Sequence, residues 1–276
     1  MMLQFEVNKP GCIRCGECVF DCPARIIGVG SDGYPAIPPE KEGNCIRCEH
    51  CLAVCPPGVI SILGYKAADS LPVEGKLPEP AAMETLIKGR RSVRRYREEN
   101  IDPELIQHLL EVAWHAPTGV NARQVRFTVI DDREKLVQFR DQMMEGLVQQ
   151  LKENKIPKSR SYFALFVKVW ERQKADLIFR NAPHLLIATA PKNVATPKED
   201  CLIAMSYFEL LAQTNGVGTV WNGIVKWAID EMLPELKETL GIPEDHQFGY
   251  AMTFGVPAVK YARTVQHTPA TIHRPM

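Results

Sequence analysis

Apolar and polar positions alternate along Leu3-Gln4-Phe5-Glu6-Val7, the period-two pattern of a short strand. Ile26-Ile27-Gly28-Val29 with the turn residues Ser31-Asp32-Gly33 predicts a small hairpin. Val59-Ile60-Ser61-Ile62-Leu63 predicts a strand able to pair with the first. From Gly64 the texture changes. Leu71-Pro72, Leu77-Pro78 and Glu79-Pro80, with Gly75 between them, read as an extended and partly stiff linker. Helical periodicity then takes over. Residues 81–88 form a short helical segment with Gly89 as its C-cap. Asp102-Pro103-Glu104 supplies an N-cap, a first-position proline and a first-turn acid. Leu105, Ile106, Leu109, Leu110 and Ala113 give that second helix its buried face, and Pro117-Thr118-Gly119 ends it. A strand is expected at 125–130, helices at 133–152 and 159–172, and a buried strand at 185–190. A long apolar helix at 200–214 and strands at 217–220 and 250–256 complete the pattern. Helices flanking a few strands argue an α+β fold with the sheet between helical layers.

The break near residue 64 divides the 276 residues into a domain at 1–65, a linker at 66–81 and a domain at 82–276. The first is too small to bury much apolar area, so something other than side chains must serve as its core. The composition, 45% hydrophobic with 24% charged residues, suits a soluble globular chain. Lys plus Arg balances Asp plus Glu at 33 each, so no global field points to nucleic acid or to an anionic membrane. No apolar run reaches the roughly eighteen residues of a membrane helix. Neither nucleic acid nor membrane is therefore expected as a partner.

Candidate chemistry enters with the cysteines. Cys12-Ile-Arg-Cys15-Gly-Glu-Cys18-Val-Phe-Asp-Cys22-Pro23 is repeated as Cys45-Ile-Arg-Cys48-Glu-His-Cys51-Leu-Ala-Val-Cys55-Pro56. Disulfides need an oxidising compartment, and no signal peptide is legible at Met1-Met2-Leu3-Gln4-Phe5-Glu6. Structural zinc uses paired C-x2-C hooks, which would leave two cysteines of each run surplus. Both runs read C-x2-C-x2-C-x3-C-P, and this stretch resembles the two-cluster bacterial ferredoxins over roughly the first 65 residues. The resemblance implies two [4Fe-4S] clusters, with the fourth cysteine of each run ligating the other cluster. Cys12, Cys15, Cys18 and Cys55 would hold one, and Cys45, Cys48, Cys51 and Cys22 the other. A cytoplasmic location suits so many reduced thiolates. Cys201, the remaining cysteine, opens a helical pattern and reads as a buried core thiol.

Gly89-Arg90-Arg91-Ser92-Val93-Arg94-Arg95-Tyr96 is the second stretch that carries chemistry. Its four arginines around a serine can hold a phosphate and a second anionic group. It resembles the opening motif of the nitroreductase-like flavoproteins. Ala116-Pro117-Thr118-Gly119-Val120-Asn121, Gly216-Val217-Gly218-Thr219-Val220-Trp221-Asn222-Gly223 and Leu240-Gly241-Ile242-Pro243-Glu244 resemble their later motifs in order. Gly255-Val256-Pro257 with Arg263 resembles the C-terminal one. The resemblance implies an α+β sandwich that binds FMN and forms a homodimer with the flavins at the interface. By position, Arg90, Ser92 and Arg263 would hold the phosphate and ribityl chain. Arg94 would lie near the pyrimidine edge, where a cation favours the reduced ring, and Arg91 would contribute backbone. Pro117, Thr118 and Asn121 would approach the flavin from the neighbouring subunit, and Trp221, Asn222 and Gly223 would pass near N5. Two positions depart from the family pattern. Ala122-Arg123-Gln124 stands where Q-P-W is common, and Tyr261 stands where a lysine is common.

Together the two resemblances imply an iron–sulfur flavoprotein oxidoreductase. Its clusters would pass single electrons to FMN, for reduction of a nitroaromatic, quinone or similar conjugated acceptor, with reduced ferredoxin or NAD(P)H as donor. Two other functions stay open at this point: a redox carrier or sensing module serving a protein partner, and a reductive dehalogenase or enone reductase. The aromatic face Tyr162, Phe163, Phe166 and Trp170 makes residues 133–172 the expected lid and part of the dimer contact, and could equally be core.

Overall fold

The computed structural model describes residues 3–275. Met1, Met2 and Met276, at the outer ends of the two expected domains, lie outside the described residues. The chain forms two compact units: residues up to Pro78 together with Val120–Ala122, and Glu79–Gly119 together with the chain from Arg123 onward.

The first unit contains β1 (Glu6–Val7), α1 (Glu17–Phe20), β2 (Gly28–Val29), β3 (Pro35–Ala36), α2 (His50–Ala53), β4 (Ile60–Ile62) and β5 (Tyr65–Lys66). β1 pairs antiparallel with β4, placing Val7 opposite Ile60, and β2 and β3 form the expected hairpin. The linker begins later than residue 66, because Tyr65 and Lys66 pair with Ile62 and Ser61. Leu63 and Gly64 have φ of 60° and 85°, the left-handed geometry of a two-residue hairpin turn. Leu3, Ile26, Ile27, Leu52, Ile60 and Ile62 are buried together with Cys18, Cys22 and Cys51. Three cysteines are thus part of this small core.

The second unit is built on a four-stranded antiparallel sheet in the order β6-β7-β9-β8. Its elements are α3 (Pro80–Gly89), α4 (Pro103–Ala113), β6 (Arg126–Ile130), α5 (Arg133–Lys152), α6 (Phe163–Gln173), β7 (His184–Pro191) and α7 (Pro197–Thr214). They are followed by β8 (Gly218–Trp221), α8 (Gly223–Trp227), a π-helical turn (Ala228–Met232), α9 (Leu236–Thr239) and β9 (His246–Gly255). The Asp102 carboxylate caps α4 by accepting from the Glu104 N–H at 3.0 Å, and Ile106, Leu109 and Ala113 form its buried face.

β7 shows why its apolar run lacks alternation: both faces are covered. Leu185 and Ile187 join the core beneath α5, α6 and α8, whereas Leu186, Ala188 and Ala190 join the core beneath α4 and α7. Successive side chains on a strand point to opposite faces, so one strand serves two layers. The α+β sandwich expected from the sequence is this arrangement. Leu136, Phe139, Met143 and Leu147 recur at helical spacing along α5 and are buried, as are Phe163 and Val167 of α6. Phe166 and Trp170 pack against the same cluster, so the aromatic face is mostly core.

Where α7 crosses β9 the backbones approach closely. A Cβ on Gly249 would stand 2.3 Å from the Cβ of Cys201 and 2.9 Å from its Sγ and from the Ala188 carbonyl oxygen. Cys201 is fully buried, and burial, with the neighbouring Asp200 carboxylate adding, pushes its thiol up to about 12. It is an inert core thiol.

Candidate functional site

Both cysteine runs turn the chain the same way. Arg14 and Gly16 flank Cys15 with φ of 56° and 80°, and Arg47 and Glu49 flank Cys48 with φ of 55° and 59°. Left-handed residues on both sides of a cysteine wind the loop tightly, and glycine adopts this conformation at no steric cost. α1 follows the first loop and α2 the second, each carrying the third thiol.

The fourth cysteine of each run crosses over. One cavity is lined by Cys12, Cys15, Cys18 and Cys55 with Val7, Ile13, Val59 and Ile60. A second is lined by Cys22, Cys45, Cys48 and Cys51 with Ile26, Ile27, Ile37 and Ile62. Among the described residues no three Cys, His, Asp or Glu side chains converge as a single metal ion demands; the sulfurs ring the two cavities instead. Burial, reinforced by neighbouring cysteines, pushes the Cys18 thiol up to about 11. Burial likewise pushes Cys51 up to about 12, against an opposing backbone hydrogen bond at Leu52. Thiols raised in this way need a cation beside them to be held as thiolates. Four soft donors in an apolar shell fit an iron–sulfur cluster in each cavity.

The arginine stretch is fixed to the end of the sheet. The Val93 N–H donates to the Thr219 carbonyl at 2.8 Å, and the Arg97 N–H to that of Val256 at 2.8 Å. The Ala258 N–H donates to the Arg95 carbonyl at 2.9 Å. Tyr96 is buried, and its hydroxyl donates to the Val93 carbonyl at 2.7 Å; burial holds its phenol above the ordinary range. This short ladder sets Ser92 beside Thr219, two residues before Trp221. The Tyr261 hydroxyl donates to the Ser92 carbonyl at 3.3 Å, and Arg94 Nη1 to the same oxygen at 3.3 Å. Arg91 turns back to the Lys88 carbonyl at 3.2 Å. Its buried Nε has no protein partner, a donor suited to an anion. Arg90, Ser92, Arg94 and Trp221 are therefore gathered in one place, while Arg263 lies in the exposed tail two residues beyond Tyr261.

Asn222 serves the fold. Its Oδ1 accepts from the Val225 N–H at 3.0 Å, its Nδ2 donates to the Ile178 carbonyl at 2.9 Å, and its N–H donates to that of Ala251 at 2.8 Å. The next N–H, that of Gly223, lies in the first turn of α8, where helix N–H groups have no intrahelical acceptor. After α4, Pro117 and Thr118 sit in a loop that Asp200 holds. The Gly119 N–H donates to Asp200 Oδ1 at 3.0 Å, and the Thr196 hydroxyl to the same atom at 2.7 Å. A Cβ on Gly119 would meet that hydroxyl at 2.1 Å. Thr118 Oγ1 accepts from the Arg123 N–H at 2.9 Å. Asn121 belongs to the first unit, and its Nδ2 donates to the Ile46 and Arg47 carbonyls of the second cysteine loop, each at 2.9 Å.

Two buried carboxylates on α7 were not anticipated from the sequence. Asp200 is 3% and Glu209 6% exposed. Glu209 accepts from Arg90 Nη1 at 3.0 Å, Trp221 Nε1 at 2.9 Å and Thr219 Oγ1 at 3.2 Å. The signal was an acid set within the apolar positions of 203–212, where acids are seldom buried unless paired.

Fold and site together define an iron–sulfur flavoprotein oxidoreductase. Residues 87–256 match the description of the nitroreductase family, and residues 11–60 that of a 4Fe-4S dicluster domain. The chain belongs to the nitroreductase family, with a 4Fe-4S dicluster domain ahead of its nitroreductase domain. A Methanothermobacter thermautotrophicus protein, which its name proposes to be an NADH dehydrogenase/NAD(P)H nitroreductase, is 25% identical over 206 residues, 73% of this chain and 90% of its own. The iodotyrosine deiodinase of Thermotoga neapolitana is 27% identical over 135 residues, 49% of this chain and 70% of its own. The crystal structure of a Bacteroides fragilis nitroreductase with bound FMN shares the fold, with a TM-score of 0.56 and 20% identity over 71% of this chain and 100% of that one. Among the described residues no helix is long and apolar enough to cross a membrane.

Proposed function

We propose that the chain takes electrons in at its clusters and delivers them to a small conjugated acceptor, a nitroaromatic or quinone, at its flavin. Cys12, Cys15, Cys18 and Cys55 hold one cluster, and Cys22, Cys45, Cys48 and Cys51 the other. The observation that carries the flavin assignment is the Val93–Thr219 hydrogen bond, which sets the arginine stretch against the strand leading to Trp221-Asn222-Gly223. Arg90, Ser92 and Arg263 take the phosphate and ribityl chain, with the unpartnered Nε of Arg91 adding a donor. Arg94 supplies positive charge at the pyrimidine edge, and the Gly223 N–H is the donor left to face N5. Bound FMN supplies the chemistry that joins single-electron donors to a two-electron acceptor. The chain's own residues bind, orient and balance charge; none is required as a nucleophile.

Pro117 and Thr118 serve the flavin of a second copy in a cytoplasmic homodimer. Ile203 and Tyr207, one helical turn apart on the outer face of α7, are exposed apolar side chains available to that interface. Reduced ferredoxin or NAD(P)H is the donor. Excess nitroaromatic added anaerobically to the reduced protein should reoxidise the flavin within seconds to minutes; flavin that stays reduced over many minutes sinks the acceptor assignment. Similarity to a deiodinase favours a second reading, reductive removal of halide from a phenol. Halide release from an iodophenol under the same conditions would support it over nitro reduction.

A further inference from the structure

The feature of the second unit that the assigned roles do not use is the buried Glu209. It lies in the C-terminal half of α7, and its side chain is 7% exposed, against 31% for the Arg90 side chain it meets. Each oxygen is occupied. Oε1 accepts from Arg90 Nη1 and Thr219 Oγ1, and Oε2 accepts from Trp221 Nε1. One turn further on, Gln213 Nε2 reaches the Leu86 carbonyl at the end of α3 at 3.4 Å, where the Arg90 N–H also donates. α7 thus holds both the backbone approach to Arg90 and its guanidinium. A guanidinium has five donors in a rigid fork, and the bond to Glu209 uses one of them.

We propose that Glu209 is a positioning residue: it fixes the Arg90 fork so that its remaining donors meet the phosphate of FMN. This rests on the assignment of Arg90 to the phosphate. Two effects of the carboxylate oppose one another. Its charge repels a phosphate, while its bond removes the freedom of a long side chain that would otherwise be ordered only when the ligand arrives. Positioning dominates because the carboxylate's charge is already offset by the Arg90, Thr219 and Trp221 donors it accepts from. The indole bond extends the same carboxylate to Trp221, beside the segment assigned to the flavin ring, so one buried acid sets both ends of the cradle.

The test is the affinity of flavin-depleted full-length protein, kept anaerobic with its clusters, for FMN and for riboflavin, which lacks the phosphate. Losing a fixed charge-assisted contact should weaken FMN about tenfold. Glu209→Asp, which keeps the charge but withdraws it by one methylene, is expected to show that loss, with riboflavin shifted less than about twofold. Glu209→Leu is expected to behave alike, and Glu209→Gln to recover part of the FMN preference. In an Arg90→Ala background, Glu209→Asp should cost FMN nothing more. Equal losses for FMN and riboflavin, tighter FMN binding, or additive losses in the double variant would each overturn the proposal. Should Arg90→Ala itself leave the FMN-to-riboflavin ratio unchanged, the phosphate assignment beneath it falls. A normal Arg90→Ala loss with unaffected Glu209 variants refutes the positioning role alone.

Discussion

Gly249→Ala puts the packing of α7 on the sheet under direct strain. The added methyl would stand 2.3 Å from the Cβ of Cys201 and 2.9 Å from its Sγ and from the Ala188 carbonyl oxygen, while carbon atoms rest about 3.5–4.0 Å apart. Neither neighbour is a flexible chain end: one is a short side chain on a helix and the other is strand backbone. Relief requires α7 to lift by more than 1 Å or so, and overpacking of that kind costs about 3 kcal/mol. For a unit of this size the cost corresponds to a melting shift of roughly 6–12 °C. Because Asp200 precedes Cys201 on the same helix, lifting α7 also disturbs the loop at Gly119. Thermal unfolding of the FMN-loaded protein, followed by flavin fluorescence, is the assay. Cys201→Gly removes two of the three clashing atoms, so the double variant should be at least 1 kcal/mol or so more stable than the two single losses summed. A Gly249→Ala protein melting within about 2 °C of wild type would refute this packing argument.

Cys55→Ala should abolish the same cluster as Cys12→Ala and leave the one lost in Cys45→Ala, as read by the electron paramagnetic resonance of the reduced proteins; if Cys55→Ala instead matches Cys45→Ala, the ligand crossing fails. Burial pushes the His184 imidazole down to about 4, and its Nε2 accepts from the Ile101 N–H at 2.9 Å. The unfolded chain therefore takes up the proton first as pH falls. Stability is level above about 6.5 and declines towards 4, by about 2 kcal/mol between pH 7.5 and 5. Urea unfolding across that range should show the slope in wild type and lose it in His184→Gln. Asp200→Ala leaves the Gly119 N–H and the Thr196 hydroxyl without their acceptor and should cost about 1–3 kcal/mol. Asp200→Asn, which keeps an acceptor oxygen, should cost clearly less in the same denaturation experiment.

The features legible in the sequence obey local rules. Ligand spacing within twelve residues sufficed to expect the cluster loops, and the structure brings Cys55 to the first cavity and Cys22 to the second. Period and capping located the helices, as at Asp102-Pro103, and the apolar run at 185–190 located a strand covered on both faces. Features made by tertiary context were not legible. Phe163 and Trp170 look the same in sequence whether they line a lid or a core, and only the packing of α5 on α6 decides for core. β5 straddles the boundary expected between residues 65 and 66, because a two-residue strand has no periodicity to detect. The part Asn222 plays in the fold was not legible either: its side chain caps α8. Glu209 and Asp200 escaped because the Arg90 guanidinium and the Gly119 N–H they hold are 119 and 81 residues away in sequence. No spacing rule links an acid to an arginine at that distance.

The proposal that the two cysteine runs are an electron inlet to a flavin held at Arg90–Arg94 has one direct test. Flavin reduction by a reduced ferredoxin is followed anaerobically at the flavin's visible band, in wild type and in a Cys15→Ala/Cys48→Ala variant that lacks one ligand of each cluster. Both proteins should bind FMN and both should be reduced by dithionite, but reduction by ferredoxin should be at least about ten times slower in the variant, the effect of disabling the proposed inlet. Equal rates in the two proteins would contradict the inlet and leave the clusters without a part in the reaction.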